Sequence, residues 1–104
     1  MAMATGFLEV YGLAAAFVAV DAGCKAAAVT VETLDKNKPG NADALPVPLI
    51  VLIKFRGTVE NVKAAVEAAA DAVGRVSGVV SQHIIANTEE STEKMLKLNA
   101  FDKN

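Results

Sequence analysis

Cys24 and His83 are the side chains best suited to nucleophilic or metal chemistry in this sequence, and each is the sole residue of its type. A thiol and an imidazole can act as nucleophile and base when they lie within hydrogen-bond reach and a third group orients the base. The sequence supplies no such third group. Zinc requires three or four ligands, which this pair does not reach. The carboxylates are spread along the chain, with no two set to share a buried site. The glycines follow neither a P-loop nor a dinucleotide-binding pattern, and Lys38-Pro39-Gly40-Asn41 lacks the strand-to-helix context for phosphate. The expectation is therefore no catalytic residue, no metal and no cofactor. Cys24, in an alanine-rich run, reads as a small buried hydrophobe. His83 reads as a structural or solvent-exposed strand residue.

The other concentration of polar side chains is the stretch "DKNKPGNADALPVPL", residues 35–49. It is too long and too polar for a tight hairpin turn. Pro39, Pro46 and Pro48 each fix φ and lower the entropy lost on ordering, which favours a shaped loop. Composition sets the frame around it. The chain has 104 residues, 53% of them hydrophobic, and a formal net charge of -2. This excludes a disordered polyelectrolyte and fits one domain, residues 1–104. A domain of this size buries only about two thirds of its unfolded surface, so association often supplements its core. No basic cluster points to nucleic acid. The run Leu13 to Val31 is broken by Asp21 and Lys25 and does not read as a membrane span. With one cysteine there is no disulfide framework, and without a basic signal segment the expectation is a cytoplasmic protein.

The elements that must position these residues follow from periodicity. "TGFLEVY" (5–11) reads as a strand. "LAAAFVAVDAGCKAAA" (13–28) reads as a helix, because alanine loses no side-chain entropy there. Its Leu13, Phe17, Val20 and Cys24 recur at helical spacing and are expected to face a sheet. Asp21 and Lys25 are spaced to pair on the opposite side. Gly23 costs about 1 kcal/mol against alanine inside a helix, so a close backbone approach is expected there. "VTVETL" (29–34) is a second strand. "LIVLIKF" (49–55), nearly continuous and β-branched, is a central strand, closed by Arg56-Gly57. Thr58 is placed to cap the helix "VENVKAAVEAAADAV", whose Val59, Val62, Val66, Ala69 and Val73 form the apolar stripe. Its Glu60, Lys63, Glu67, Asp71 and Arg75 form the wet face. Gly74 to Gly78 is a turn, "VVSQHII" (79–85) a fourth strand, and Asn87-Thr88 start a terminal helix. In that helix Met95, Leu96, Leu98 and Phe101 can dock. The order β-α-β-β-α-β with a C-terminal helix predicts an α+β, ferredoxin-like two-layer sandwich. The helices are expected on one face and the other face open.

The ordered set of motifs is similar to the single-domain hexameric shell proteins of bacterial microcompartments, the BMC-domain family. The first half carries Glu9 in a strand, Gly12-Leu13, and an alanine-rich helix ending Asp21-Ala-Gly-Cys-Lys25-Ala-Ala27. The second half carries Arg56-Gly57, the helix "VENVKAAVEAAA", and "VGRVSGVVSQHII". The resemblance covers residues 5–86, with 88–101 as a helical tail. It implies a structural shell protein rather than an enzyme. It implies cyclic homo-hexamers that tile edge to edge with other shell proteins of the same microcompartment, with a central pore for small metabolites. Neither nucleic acid nor a membrane is implied as partner. The loop between the second and third strands would surround that pore, which places Lys36, Asn37, Lys38, Pro39, Gly40, Asn41 and Asp43 at it. The family's shorter lysine-glycine run aligns with either Lys38-Pro39-Gly40 or Lys36-Asn37. Excess positive charge at the mouth would focus anionic metabolites, and Asp35 and Asp43 would oppose it. A plain solvent-facing insertion that narrows or covers the axis is the alternative.

The resemblance also places Lys25 at the hexamer edge, whereas its residue-level reading is a wet helix lysine paired with Asp21. At the other edge element the family commonly has isoleucine-proline-arginine-proline. Here Ile85-Ala-Asn-Thr88 stands instead, and Asn87 cannot replace an arginine's planar, charged fork. Tiling with partner shell proteins is the implication. Two other function classes share the topology. One is a small-molecule-binding regulatory domain gripping its ligand with the long loop, to be distinguished by saturable binding in a small closed oligomer. The other is an enzyme using Cys24 or His83.

Overall fold

The structure, a computed structural model, describes residues 3–38, 41, 44 and 49–99. Along the chain run β1 (Ala4–Tyr11), α1 (Leu13–Ala26), β2 (Thr30–Asn37), β3 (Ile50–Gly57), α2 (Val59–Val73), β4 (Val79–Ile85) and α3 (Glu90–Met95). The four strands form one sheet in the order β2-β3-β1-β4, every neighbouring pair antiparallel. This is the ferredoxin-like arrangement the element order predicts. β3 is central, as its β-branched run requires, and shares the middle with β1.

The core lies between one sheet face and the two long helices. Leu8 and Val10 of β1 and Val51, Ile53 and Phe55 of β3 meet Val62, Ala65, Val66, Ala69 and Val73 of α2. The α2 stripe is therefore as the sequence predicts, except that Val59 is only half-buried and Ala65 joins it. Thr58 caps α2 by accepting a hydrogen bond from Asn61 N at 3.3 Å. On the wet face Arg75 Nη2 meets Asp71 Oδ2 at 2.7 Å. Gly12 precedes α1 with φ 95 and donates to Leu49 O at 2.8 Å. A side chain is disfavoured in that left-handed conformation.

α1 turns out rotated from the expectation. Its buried residues are Ala15, Ala16, Ala19 and Gly23. Leu13 and Phe17 are exposed, Phe17 by 62%, and Cys24 is exposed as well. Only Val20 of the expected stripe packs against the core. The reason is steric. A Cβ at Gly23 would lie 2.7 Å from Phe55 Cζ, so α1 sits directly on the aromatic ring. A face of alanines and glycine fits that gap, and a face of Leu, Phe and Cys does not.

Two further boundaries move. β2 continues three residues past Leu34, so Lys36 and Asn37 belong to a strand rather than to the loop. The terminal helix is a six-residue α3, capped by Glu89 and not begun at Asn87-Thr88. Thr88 instead ties back to the start of β1. Its N–H donates to Met3 O at 3.0 Å, and its hydroxyl meets Thr5 Oγ1 at 2.7 Å. The sheet face away from α1 and α2 is therefore not fully open, because the chain after β4 folds across part of it.

Candidate functional site

The sheet register divides the molecule into two ends. At one end lie the C-termini of β1 and β2 and the N-termini of β3 and β4, where Tyr11 and Asn37 flank Ile50 in register and Val79 pairs with Val10. The loop 38–49 leaves from here. Lys36 and Asn37 pair with Val51 and Ile50, and Lys38 and Asn41 follow, exposed. Pro39, Gly40 and Asp43 lie outside the described residues, as do Pro46 and Pro48 in the same loop and Phe101 in the tail. Beside the loop root is a depression of about 280 Å³ lined by Glu9, Asp35, Lys36, Asn37, Ile50 and Leu52. Its carboxylates are engaged: Glu9 Oε1 accepts from Ser81 Oγ at 2.5 Å, and Asp35 Oδ1 accepts from Lys36 N at 2.9 Å.

At the opposite end lie the start of β1, the start of β2, the end of β3 and the end of β4. α1 starts beside the loop root and finishes at this far end, where Lys25 stands in its last turn. Lys25 Nζ meets Asp21 Oδ2 at 2.9 Å, with both side chains largely exposed. Asn87 is exposed in the turn after β4. The fold thus brings Lys36, Asn37, Lys38 and Leu49 to one end and places Lys25 and Asn87 at the other. Eight-residue strands at about 3.3 Å per residue put these ends about 26 Å apart.

The fold does not bring Cys24 and His83 together. Both are exposed, Cys24 on α1 and His83 on β4 in register with Phe7. Among the described residues no group of three or more His, Cys, Asp or Glu could hold a metal ion, and no helix is long and apolar enough to cross a membrane.

Two charged residues of β3 are buried: Lys54, which the sequence reading did not single out, and Arg56, which it read only as part of the Arg56-Gly57 strand end. They alternate on β3 with Ile53 and Phe55, so both project onto the face opposite α1 and α2. They are 3% and 5% exposed. Lys54 Nζ donates to Thr33 Oγ1 at 2.9 Å, Leu96 O at 3.1 Å and Leu98 O at 2.8 Å, which uses all three donors of an ammonium. Burial holds its pKa below the ordinary lysine value, against the pull of Asp35 and Glu32. Arg56 clasps both carboxylate oxygens of Glu93, reaches Glu32 Oε1 at 3.3 Å, and donates from Nε to Ala4 O at 3.3 Å. The hydrogen bonds from Arg56 hold the Glu93 carboxyl below the ordinary glutamate range, and Glu93 in turn raises Arg56. The signal in the sequence was two cations at alternate positions in an otherwise apolar central strand.

Comparison with known proteins accords with this architecture. Residues 4–88 match the BMC domain. The chain is 38% identical over 100 residues to the carboxysome shell protein CcmK1 of Thermosynechococcus vestitus, covering 94% of this chain and 80% of that one. It is 37% identical to the carboxysome shell protein CcmK2 of Synechococcus elongatus, covering 94% and 89%. It is 36% identical to the bacterial microcompartment shell protein PduA of Salmonella typhimurium, covering 89% of each. A solved microcompartment protein from Desulfitobacterium hafniense superposes with a TM-score of 0.72 at 23% identity, over 93% of this chain. The present chain spans 48% of that longer one, and this likeness speaks for the fold. With a matching domain over most of its length and shell-protein relatives aligned nearly end to end, the chain belongs to the BMC-domain family of bacterial microcompartment shell proteins, a structural family and not one of enzymes.

Proposed function

We propose that the protein is a structural tile of a bacterial microcompartment shell, forming cyclic hexamers that assemble edge to edge with other shell proteins. The observation that carries this reading is the near end-to-end similarity to several shell proteins. The two-ended geometry supports it. A ring of copies needs one end at the axis and the other at the rim. The end of β2 and the start of β3 lie at one end of the sheet, and Lys25 and Asn87 at the other. The loop end faces the axis, with Lys36, Asn37, Lys38, Pro39, Gly40, Asn41 and Asp43 around a central pore that passes or restricts small metabolites. The rim end carries Lys25 and Asn87. Exposed Leu13 and Phe17 on α1 supply apolar surface for contact between neighbouring copies.

Lys25→Ala tests the edge. The exposed Asp21–Lys25 pair within one helix contributes only about 0.3–0.5 kcal/mol, so the fold and the ring remain. Electron microscopy of the variant is expected to show hexamers without extended sheets. Sheets as abundant as those of the wild type would remove Lys25 from the edge.

A further inference from the structure

The segment after β4 is held to the sheet in the way a ligand is held. α3 has six residues and buries none of them, and so short a helix has no stability of its own in water. Leu96 alone in the described segment 90–99 is buried. Its attachments are polar and specific. Glu93 presents a carboxylate bidentately to Arg56, and the carbonyls of Leu96 and Leu98 converge on the Lys54 ammonium. Between segment and sheet a depression of about 200 Å³ remains, lined by the apolar Phe7, Leu52, Met95, Leu96 and Leu98 and by the polar Asp35, Lys54 and Thr92. The segment thus fills its seat incompletely.

We infer that residues 90–99 form a detachable strap, a built-in ligand covering a site on the sheet for an anionic amphiphile. Beneath the strap, Lys54 and Arg56 stand about 7 Å apart at alternate positions of one strand. Lys54 lies beside the apolar side chains of Phe7 and Leu52 and the carboxylate of Asp35, and Arg56 keeps Glu32 as a second partner when Glu93 leaves. A ligand with a carboxylate or sulfonate on an apolar body matches both halves of that surface, as Glu93 and Leu96 do now. Charge-assisted bidentate hydrogen bonds give such a site its selectivity for anions. The covalent root of the strap stays fixed, because Thr88 is bonded to Met3 and Thr5, so opening hinges after Thr88. A site open only part of the time binds with an affinity reduced by its open fraction, and loosening the strap must therefore tighten binding. This inference concerns the sheet face and does not depend on the hexameric reading.

The test uses the full chain as wild type, Glu93→Gln and Thr33→Val, which loosen the strap at separate anchors. Hydrogen exchange followed by mass spectrometry reports strap opening, and fluorescence titration with anilinonaphthalenesulfonate reports the uncovered site. The expected result is faster exchange in residues 90–99 of both variants, with β1 and β3 still protected. The anionic dye should bind both variants about tenfold tighter than wild type, the scale of one lost charge-assisted contact. The neutral phenylnaphthylamine should show no such gain. Equal dye affinity in all three proteins, an equal gain for the neutral dye, or loss of protection in β1 and β3 together with the strap would each overturn the inference.

Discussion

Lys54 and Arg56 are buried cations, and what surrounds them decides whether they help or harm the fold. A buried charge with all its donors engaged is tolerated, whereas removing one partner leaves it uncompensated. Glu93 is the exposed half of the Arg56 pair, so its protonation is the accessible way to break it. Its pKa is held below the ordinary value of 4.5. The stabilisation from a depressed carboxyl is therefore complete above pH 4.5 and is lost as the pH falls through the lower folded-state value. Thermal melting between neutral pH and pH 3 is expected to show a decline in wild type that is shallower in Glu93→Gln. Parallel declines would mean that the Arg56–Glu93 pair contributes no acid sensitivity.

At the level of elements, the decisive contact is α1 on β3. Gly23→Ala should raise the helix propensity of α1 by about 1 kcal/mol. The new methyl, however, would fall 2.7 Å from Phe55 Cζ and 3.2 Å from Ala65 O. Phe55 is fully buried and cannot swing away. Overpacking of this kind costs about 1–3 kcal/mol, so the melting temperature should fall. A rise would show that α1 can shift outward. This contact also marks where sequence reading succeeded and failed. Gly23 signalled a close approach correctly, and α2 was legible because its valines and charges separate cleanly by period. α1 was misread because alanine is compatible with either face, so the larger Leu13, Phe17 and Cys24 drew the stripe to the wrong side. The end of β2 was misread because Lys36 and Asn37 are polar, although an edge strand needs no apolar alternation on its solvated face. The strap was legible only as a helix, since its anchors lie at residues distant in sequence.

For the whole molecule, association is the central question. The relatives named in their own right as shell proteins align with nearly the full chain, and the monomer leaves Leu13, Phe17 and Val18 of α1 exposed. If these residues are covered between neighbouring copies, a charge there is incompatible with the ring. Phe17→Glu lies on a solvent-facing position of the monomer, so the fold should persist while association is lost. Circular dichroism together with sedimentation velocity would show a folded monomer. An intact ring in this variant would take Phe17 out of the contact between copies.

The most direct test is native mass spectrometry of the purified chain. The account predicts a dominant hexamer, which makes the end of β2 and the segment 38–49 the lining of a central opening. A dimer or trimer as the largest closed species would contradict it, because neither ring gathers six loops at one axis.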